Sequence, residues 1–311
     1  MNKINKWIYY IKEDDKFKLE DKFLLEDINT SFPLSIWWII TWKCNLRCLH
    51  CYWNEEELPS NEVSYKEALL IAKKIIDSWI HRVSISWWEP MLRNDLVDIV
   101  EFLSDNWVSV IVSTNWLNVK KHILKLKKLR HIEFSLDWSV AEIHNRFRPS
   151  RIKWNEDSYD NAIEWIKSAV KEGLRSRVLT TLSVYNFNDL ERIWKILTDL
   201  WVDEWHIWKS VKAWRARFIY DELNKWVEFN EDNLKNIQNK FPRINIQYNF
   251  PSKSSNYYAL ILPNWIISTQ DTITWEKIEL WSLVDGNISD YWNKDNFDIK
   301  WHYIKWLNIK P

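Results

Sequence analysis

The sequence predicts an α/β protein: a partial (β/α)6 TIM-like barrel with a small α+β C-terminal subdomain. Two observations carry the prediction. Between residues 36 and 210, six apolar, partly β-branched runs alternate with stretches of helical period, which implies a parallel sheet with right-handed crossovers. After residue 210 the alternation stops, and a helix and short strands follow.

Residues 1–35 form a lead-in of alternating charged and apolar residues, with Phe17-Lys18-Leu19 and Phe23-Leu24-Leu25 as short strands and Pro33 as its end. It reads as a cover for the open end of the barrel or as a substrate-side flap. The barrel, residues 36–210, takes its strands from Ile36–Thr41, Arg82–Ser86, Val108–Ser113, His131–Leu136, Arg177–Leu182 and Glu204–Ile207. Its helices are expected at Tyr65–Ser78, Asp95–Asn106, Lys120–Leu129, Asp157–Glu172 and Asn188–Leu200. In the first, Ala68, Ile71, Ala72, Ile75 and Ile76 share one face at the i, i+3, i+4 spacing of an amphipathic helix. Asn188, Asp189 and Glu191 give the last an acidic start. In residues 211–311, Asn230–Phe241 reads as a helix, and Ile244–Tyr248, Tyr257–Leu262 and Ile266–Ser268 read as strands.

A chain of 311 residues is long enough to bury a substantial core. Lys plus Arg and Asp plus Glu number 43 each, so the formal charge is zero. That balance argues against a nucleic-acid or membrane-surface partner. The N-terminus has no signal-peptide h-region, and no run of 18 apolar residues is long enough to span a bilayer. The cysteine usage fits a reducing cytoplasm.

All three cysteines, Cys44, Cys48 and Cys51, fall within eight positions on the loop that leaves the first strand. Three thiolates on one loop hold three irons of a cubane cluster and leave the fourth without a protein ligand, open to bind and activate something. Other readings are buried apolar cysteines, a zinc ion held by the three cysteines and His50, and a disulfide with one cysteine left over. A polar loop disfavours the first. Zinc meets poor geometry because His50 adjoins Cys51. A disulfide needs an oxidising compartment.

The C-x3-C-x2-C spacing, the Asn45-Leu46-Arg47 inside it and the aromatic position before Cys51 closely resemble the radical S-adenosylmethionine (SAM) superfamily. The resemblance covers about residues 36–210. It implies one 4Fe-4S cluster held by Cys44, Cys48 and Cys51, with SAM bound to the open iron through its amino and carboxylate groups. An electron from the cluster then releases a 5′-deoxyadenosyl radical. The family's Gly-Gly-Glu-Pro segment, which lies along the methionine moiety, falls on Trp87-Trp88-Glu89-Pro90, and Glu89 is expected at the amino group. Ser113 and Asn115 end the third strand. Ser135 and Asp137 end the fourth, where the resemblance places contacts to the ribose hydroxyls or the methionine end. Ser and Asp at strand ends also make simple Ser and Asx turns. His144-Asn145-Arg146-Phe147-Arg148 resembles the family's His-Asp-x-x-Arg element, whose arginine, here Arg148, pairs with the SAM carboxylate. His50 takes the aromatic position expected beside the adenine.

Downstream, Leu262–Thr269, Asp285-Gly286-Asn287-Ile288 and Tyr291-Trp292 resemble the SPASM or twitch extension. Where that extension has an auxiliary-cluster cysteine this chain has Thr269-Gln270-Asp271, and no cysteine follows. The tail is therefore expected to be a cluster-free cap.

Composition carries a second message. The chain has 25 Trp and 2 Gly, where about 7% Gly is usual, roughly 22 in this length. Trp87, Trp88, Trp116, Trp138 and Trp201 stand at strand and helix exits that call for glycine. This pattern is what UGA codons meant as glycine and translated as tryptophan would produce. Trp42 and Trp292 fall where family members carry Trp. The expected function is a cytoplasmic radical SAM enzyme that takes electrons from a flavodoxin- or ferredoxin-type donor. Its expected substrate is a peptide, a protein or a cofactor precursor. The reading from another class is a non-catalytic iron–sulfur or SAM-binding sensor.

Overall fold

The computed structural model describes residues 2–3, 8–11, 16–19, 34–51, 61–115, 125–151, 157–210, 216, 218–225, 231–240, 242–249, 257–271, 277–284 and 286–288. In the lead-in, β1 (Asn2–Lys3), β2 (Ile8–Ile11) and β3 (Lys16–Leu19) form a small antiparallel sheet. The expected strand at Phe23–Leu25 lies outside the described residues.

Six parallel strands then neighbour one another in chain order: β4 (Ser35–Trp38), β5 (Arg82–Ile85), β6 (Ser109–Thr114), β7 (His131–Ser135), β8 (Ser176–Leu182) and β9 (Glu204–Lys209). Each lies within three residues of its expected bounds. The connecting helices are α1 (Tyr65–Asp77), α2 (Leu96–Asp105), α3 (Ala141–Phe147), α4 (Ser158–Lys171) and α5 (Leu190–Asp199). A capping box starts α1: the Ser64 side chain accepts from Glu67 N, and the Glu67 side chain accepts from Ser64 N. Its Ala68, Ile71, Ala72 and Ile75 are buried. The sequence does not announce α3, because Val140 precedes it and makes no side-chain capping bond. Of the helix expected over Lys120–Leu129, the described part is a 3-10 turn at Lys125–Lys128.

The C-terminal region adds α6 (Tyr220–Leu223) and α7 (Glu231–Lys240), and its strands join the same sheet. β10 (Asn245–Asn249) pairs parallel with β9, which gives the β9 edge a seventh strand. At the other edge β11 (Tyr257–Ile261) pairs parallel with β4, and β12 (Ile266–Asp271) and β13 (Lys277–Ser282) follow antiparallel. Among the described residues no helix is long and apolar enough to cross a membrane.

The two faces of the sheet differ in chemistry. On β8, Val178, Thr180 and Leu182 are buried against the helices, whereas Arg177, Leu179 and Thr181 on the opposite, concave face keep partial exposure. A rung of polar side chains crosses this concave face. Ser113, Glu133, Arg177 and Glu204 are successive register partners from β6 to β9. Arg177 donates to Glu133 (2.5 Å) and to Glu204 (2.6 and 2.8 Å), and Arg175 donates to Glu204 (2.9 Å). Burial works against ionised Glu204. His131 and His206, each 3.4 Å away, together with Arg177, outweigh it and hold its pKa well below the usual carboxylate range.

A depressed carboxylate pKa stabilises the fold above the ordinary value near 4.5, and that contribution is lost as acid protonates the group. The apoprotein should therefore be more resistant to urea at pH 7 than at pH 4. Glu204→Gln should cost about 1–3 kcal/mol at pH 7, because Arg177 loses one of its two carboxylate partners and keeps only Glu133, and should flatten the acid side of the profile. Equal urea midpoints for parent and variant at pH 7 would contradict this account of the concave face.

Candidate functional site

The cysteine loop lies across the C-terminal ends of β4, β5, β6 and β7, held from three sides. At its start the Glu62 carboxylate accepts from Thr41 Oγ1 (2.9 Å) and Trp42 N (2.6 Å), and Lys43 O accepts from Glu89 N (2.9 Å). Along its length it runs antiparallel to the exit of α3. Leu49 N donates to Phe147 O, Arg47 N to Pro149 O, and Arg151 N to Asn45 O, at 2.8–2.9 Å. Arg151 Nε adds a bond to Leu46 O (3.0 Å). At its end Cys51 O accepts from Ala216 N (3.0 Å).

The three thiols are half-buried. Cys44 Sγ accepts from Leu46 N (3.4 Å) and Asn115 Nδ2 (3.5 Å), and Cys48 Sγ lies 3.8 Å from Arg148 Nη1. Burial, with Cys48 next to it, pushes the Cys44 thiol up to about 12. Only a metal that takes the thiolate gives it a charged state at neutral pH. Among the described residues no three His, Cys, Asp or Glu side chains gather for a single metal ion. A cubane asks for a different arrangement, one thiolate at each of three irons.

The chain belongs to the radical SAM superfamily.

The family model, described as the radical SAM superfamily, matches residues 38–200, which span the cysteine loop and most of the parallel sheet. A probable GTP 3′,8-cyclase of Sulfurisphaera tokodaii is 31% identical over 171 residues, 54% of this chain and 53% of that protein. The Fe-coproporphyrin III synthase of Methanosarcina barkeri is 24% identical over 166 residues, 52% of this chain and 40% of that protein. This chain thus spans about half the length of the curated relatives it matches. Crystal structures of Streptococcus suis SuiB, bound to S-adenosylmethionine and to precursor peptide SuiA, superpose with TM-scores of 0.67 and 0.66. They cover 85% of this chain and 66% and 65% of theirs, at 15% and 14% identity. That likeness is one of fold.

Radical SAM proteins use a 4Fe-4S cluster and SAM, and the polar atoms around the loop fit the pair. Asn45 is buried beside Cys44, and neither its side-chain oxygen nor its nitrogen has a hydrogen-bond partner among the described residues. The same holds for Asn115 Oδ1 and His50 Nδ1. Buried polar atoms without partners are costly. A polar ligand over Cys44, Cys48 and Cys51 would supply them.

Each site residue expected from the sequence has a definite place. Glu89 is fully buried, and its carboxylate accepts from Thr114 Oγ1 (2.7 Å), Asn115 N (2.7 Å) and Met91 N (3.0 Å). It thereby ties the β5 exit to the β6 exit next to Cys44. Burial pushes its pKa up to about 7 against those donors. Asp137 is also fully buried. One oxygen accepts from Arg148 Nε (2.6 Å) and lies 3.3 Å from His50 Nε2, and the other accepts from Thr181 N (2.8 Å). Burial would raise its pKa, but Arg148, His50 and His144 together bring it down to about 2. Burial lowers His50 to about 4, so its ring is neutral at pH 7, with Nε2 3.3 Å from the Asp137 carboxylate. Ser113 points its hydroxyl at Glu133, into the barrel. Ser135 lies half-buried on the concave face, on one rung with Leu179 and His206. Trp87 packs on Trp37, ring centroids 5.0 Å apart, and Trp87 and Trp88 both take left-handed backbone, φ 66° and 55°. Asn145, unassigned by resemblance, accepts from Ser158 Oγ and Tyr159 N and so joins α3 to the start of α4.

Sequence reasoning missed Asn45, Thr114 and Thr181. Asn45 was visible inside the cysteine loop, but nothing in the sequence shows that its amide is buried without a partner. Replacing Cys44, Cys48 or Cys51 singly by Ala should leave the apoprotein folded. Anaerobic reconstitution of each variant should then return little of the iron and sulfide that the parent takes up, read by colorimetric assay and by visible absorbance. Parent-like iron content in any of the three would contradict this ligand set.

Proposed function

We propose that the chain is a radical SAM enzyme acting on a peptide, protein or cofactor-precursor substrate. The observation that carries the reading is the anchored cysteine loop, with the amide of Asn45 and the carbonyl of Asn115, both without partners among the described residues, beside Cys44. With cluster and SAM bound, the pair supplies a 5′-deoxyadenosyl radical that abstracts hydrogen from an unactivated C–H bond. The chain's own part is to hold and orient. Cys44, Cys48 and Cys51 bind the cluster. Asn115, Arg148 and the backbone at residues 87–89 face the methionine end of SAM, while Ser135 and His50 face its nucleoside. Glu89 and Asp137 fix the loops that carry these contacts. The polar concave face offers the substrate hydrogen-bonding groups. Similar proteins support both substrate classes: a GTP cyclase and an Fe-coproporphyrin III synthase on one side, SuiB with its bound precursor peptide on the other.

The C-terminal region reads as a SPASM- or twitch-like cap without a cluster. Support comes from the β11–β12 hairpin docked on β4, from Val63 N donating to Pro263 O (2.8 Å), and from Lys74 Nζ donating to Gly286 O (2.8 Å). A cytoplasmic enzyme served by a flavodoxin- or ferredoxin-type donor completes the reading.

We infer further that most of the tryptophans are glycines in the living cell. Among the described residues the non-glycine positions with positive φ are Trp79, Trp87, Trp88, Trp107, Trp201 and Trp265, every one a tryptophan. An L side chain in that region costs roughly 1–2 kcal/mol. Trp79, Trp107 and Trp201 end α1, α2 and α5 with the same two backbone bonds that close α4 at Gly173, the Schellman arrangement that favours glycine. These residues are 68%, 80% and 67% exposed, so burial offsets little of the strain, although Arg243 lies 4.8 Å from the Trp201 ring. Trp42 behaves as a genuine tryptophan, buried with Nε1 donating to Asn61 O (3.3 Å). Trp138 stacks on Phe147 at 4.4 Å without left-handed backbone, and Trp116 lies outside the described residues. For these two the inference rests on sequence position alone.

Two experiments test these readings. Reduced, reconstituted protein carrying Trp87→Gly and Trp88→Gly should bind about four irons and convert SAM to 5′-deoxyadenosine and methionine, read by chromatography. SAM binding without any 5′-deoxyadenosine would favour the sensor, and eight irons per chain would contradict the cluster-free cap. Mass spectrometry of the native protein's peptide spanning residues 82–93 should show glycine at 87 and 88. Tryptophan there would end the recoding argument.

A further inference from the structure

We propose that Arg148 sets the reduction potential of the cluster through a charged hydrogen bond to the sulfur of Cys48, and that Asp137 is the positioning residue that holds it there. The proposal rests on the cluster reading above and assigns Arg148 a role apart from the SAM carboxylate.

The guanidinium has two fixed edges. Nε donates to Asp137 Oδ2 at 2.6 Å, and Nη1 lies 3.8 Å from Cys48 Sγ, within reach of an N–H···S bond. The pair is buried, with side-chain exposures of 11% for Arg148 and 0% for Asp137. Asp137 cannot turn away freely, because its other oxygen accepts from Thr181 N at the end of β8 (2.8 Å). Nor can the backbone of Arg148. Its N–H donates to His144 O (2.8 Å), and its neighbours Phe147 and Pro149 accept from Leu49 and Arg47 of the cysteine loop. The segment that carries the guanidinium is bonded to the loop that carries Cys48, so the two keep their spacing.

A cluster gains one negative charge on reduction, and its potential follows net charge, solvent exposure and hydrogen bonds to its sulfurs. A cation against a ligand sulfur, away from bulk water, favours the reduced state more than a neutral donor does, because Coulomb energy grows as the local dielectric falls. Cys44 receives only neutral donors, Leu46 N and Asn115 Nδ2, among the described contacts. Cys48 receives the charge. Asp137 offsets part of that charge, but on the side of the guanidinium away from the sulfur, bonded at Nε and not at Nη1. Among the described residues Nη2 has no hydrogen-bond partner and can meet an anionic ligand, so potential tuning and SAM binding are separable functions of one side chain.

The test is a redox titration of the anaerobically reconstituted protein without SAM, followed by EPR of the reduced cluster, with SAM affinity measured separately by equilibrium dialysis. Arg148→Gln should move the midpoint to a more negative potential. Arg148→Lys, which keeps the charge but loses the planar fork, should shift it less. Asp137→Asn both removes the carboxylate that offsets part of this charge, which alone raises the midpoint, and frees the guanidinium from its anchor. The positioning role is therefore read as coupling: the shift caused by Arg148→Gln should be smaller in the Asp137→Asn background than in the parent. An equal shift in both backgrounds would deny Asp137 that role. Should Arg148→Gln fail to fold or to load iron, Arg148→Lys takes its place in both backgrounds. Midpoints equal to the parent's in iron-replete variants, with only SAM affinity reduced, would overturn the proposal. Loss of iron in all three variants while the parent loads fully would overturn it as well, because Arg148 would then serve cluster retention. A parent that takes up one zinc and no sulfide would instead sink the cluster reading itself, before any potential is measured.

Discussion

One buried ion pair organises this site. Asp137 and Arg148, 2.6 Å apart, join the end of β7 to the exit of α3. Through Thr181 N and His50 Nε2 the same carboxylate reaches β8 and the cysteine loop. Four segments distant in sequence therefore meet at one aspartate. Such a pair is a poor source of stability when desolvation is counted. Its worth here is geometric, because a loop with three cysteines and little regular structure needs external anchors. The backbone bonds from residues 147–151 and the Glu62 and Glu89 carboxylates provide the others.

The concave face follows the same logic at greater depth. The fold buries Glu133, Arg177 and Glu204 where a sheet would ordinarily bury aliphatic side chains. The helix-covered face supplies the apolar core instead, with Val178, Trp205 and Ile207 fully buried. This division leaves a polar concave face on the side of the sheet away from the helices. Polar networks of this kind specify geometry when every member is satisfied. The alternation of charges along the rung satisfies these.

Much of this was legible in the sequence. The six parallel strands were readable because each is a short apolar run between helices with clear apolar stripes, as at Ala68, Ile71 and Ile75. The cysteine loop was readable from spacing alone. Long-range pairing was not. Nothing local says that Asn245–Asn249 extends the barrel edge, or that Tyr257–Ile261 closes on β4, because strand neighbours are fixed by tertiary fit. The anchoring roles of Glu89 and Asp137 were hidden for a related reason: a residue type and a strand end suggest a ligand contact, while partners such as Thr114 and Thr181 come from other strands. The misplaced tryptophans were visible first as a deficit of glycine. The backbone adds a criterion that composition lacks, since Trp201 and Gly173 close their helices in the same conformation.

The central claim is that three cysteines hold a cubane and leave one iron for SAM. Electron–nuclear double resonance of the reduced cluster, with SAM carrying nitrogen-15 at its amino group, addresses it most directly. The account predicts a nitrogen-15 coupling that appears with labelled SAM and disappears with unlabelled SAM. A reduced cluster whose spectrum is indifferent to the label, in protein shown to have bound SAM, would contradict it.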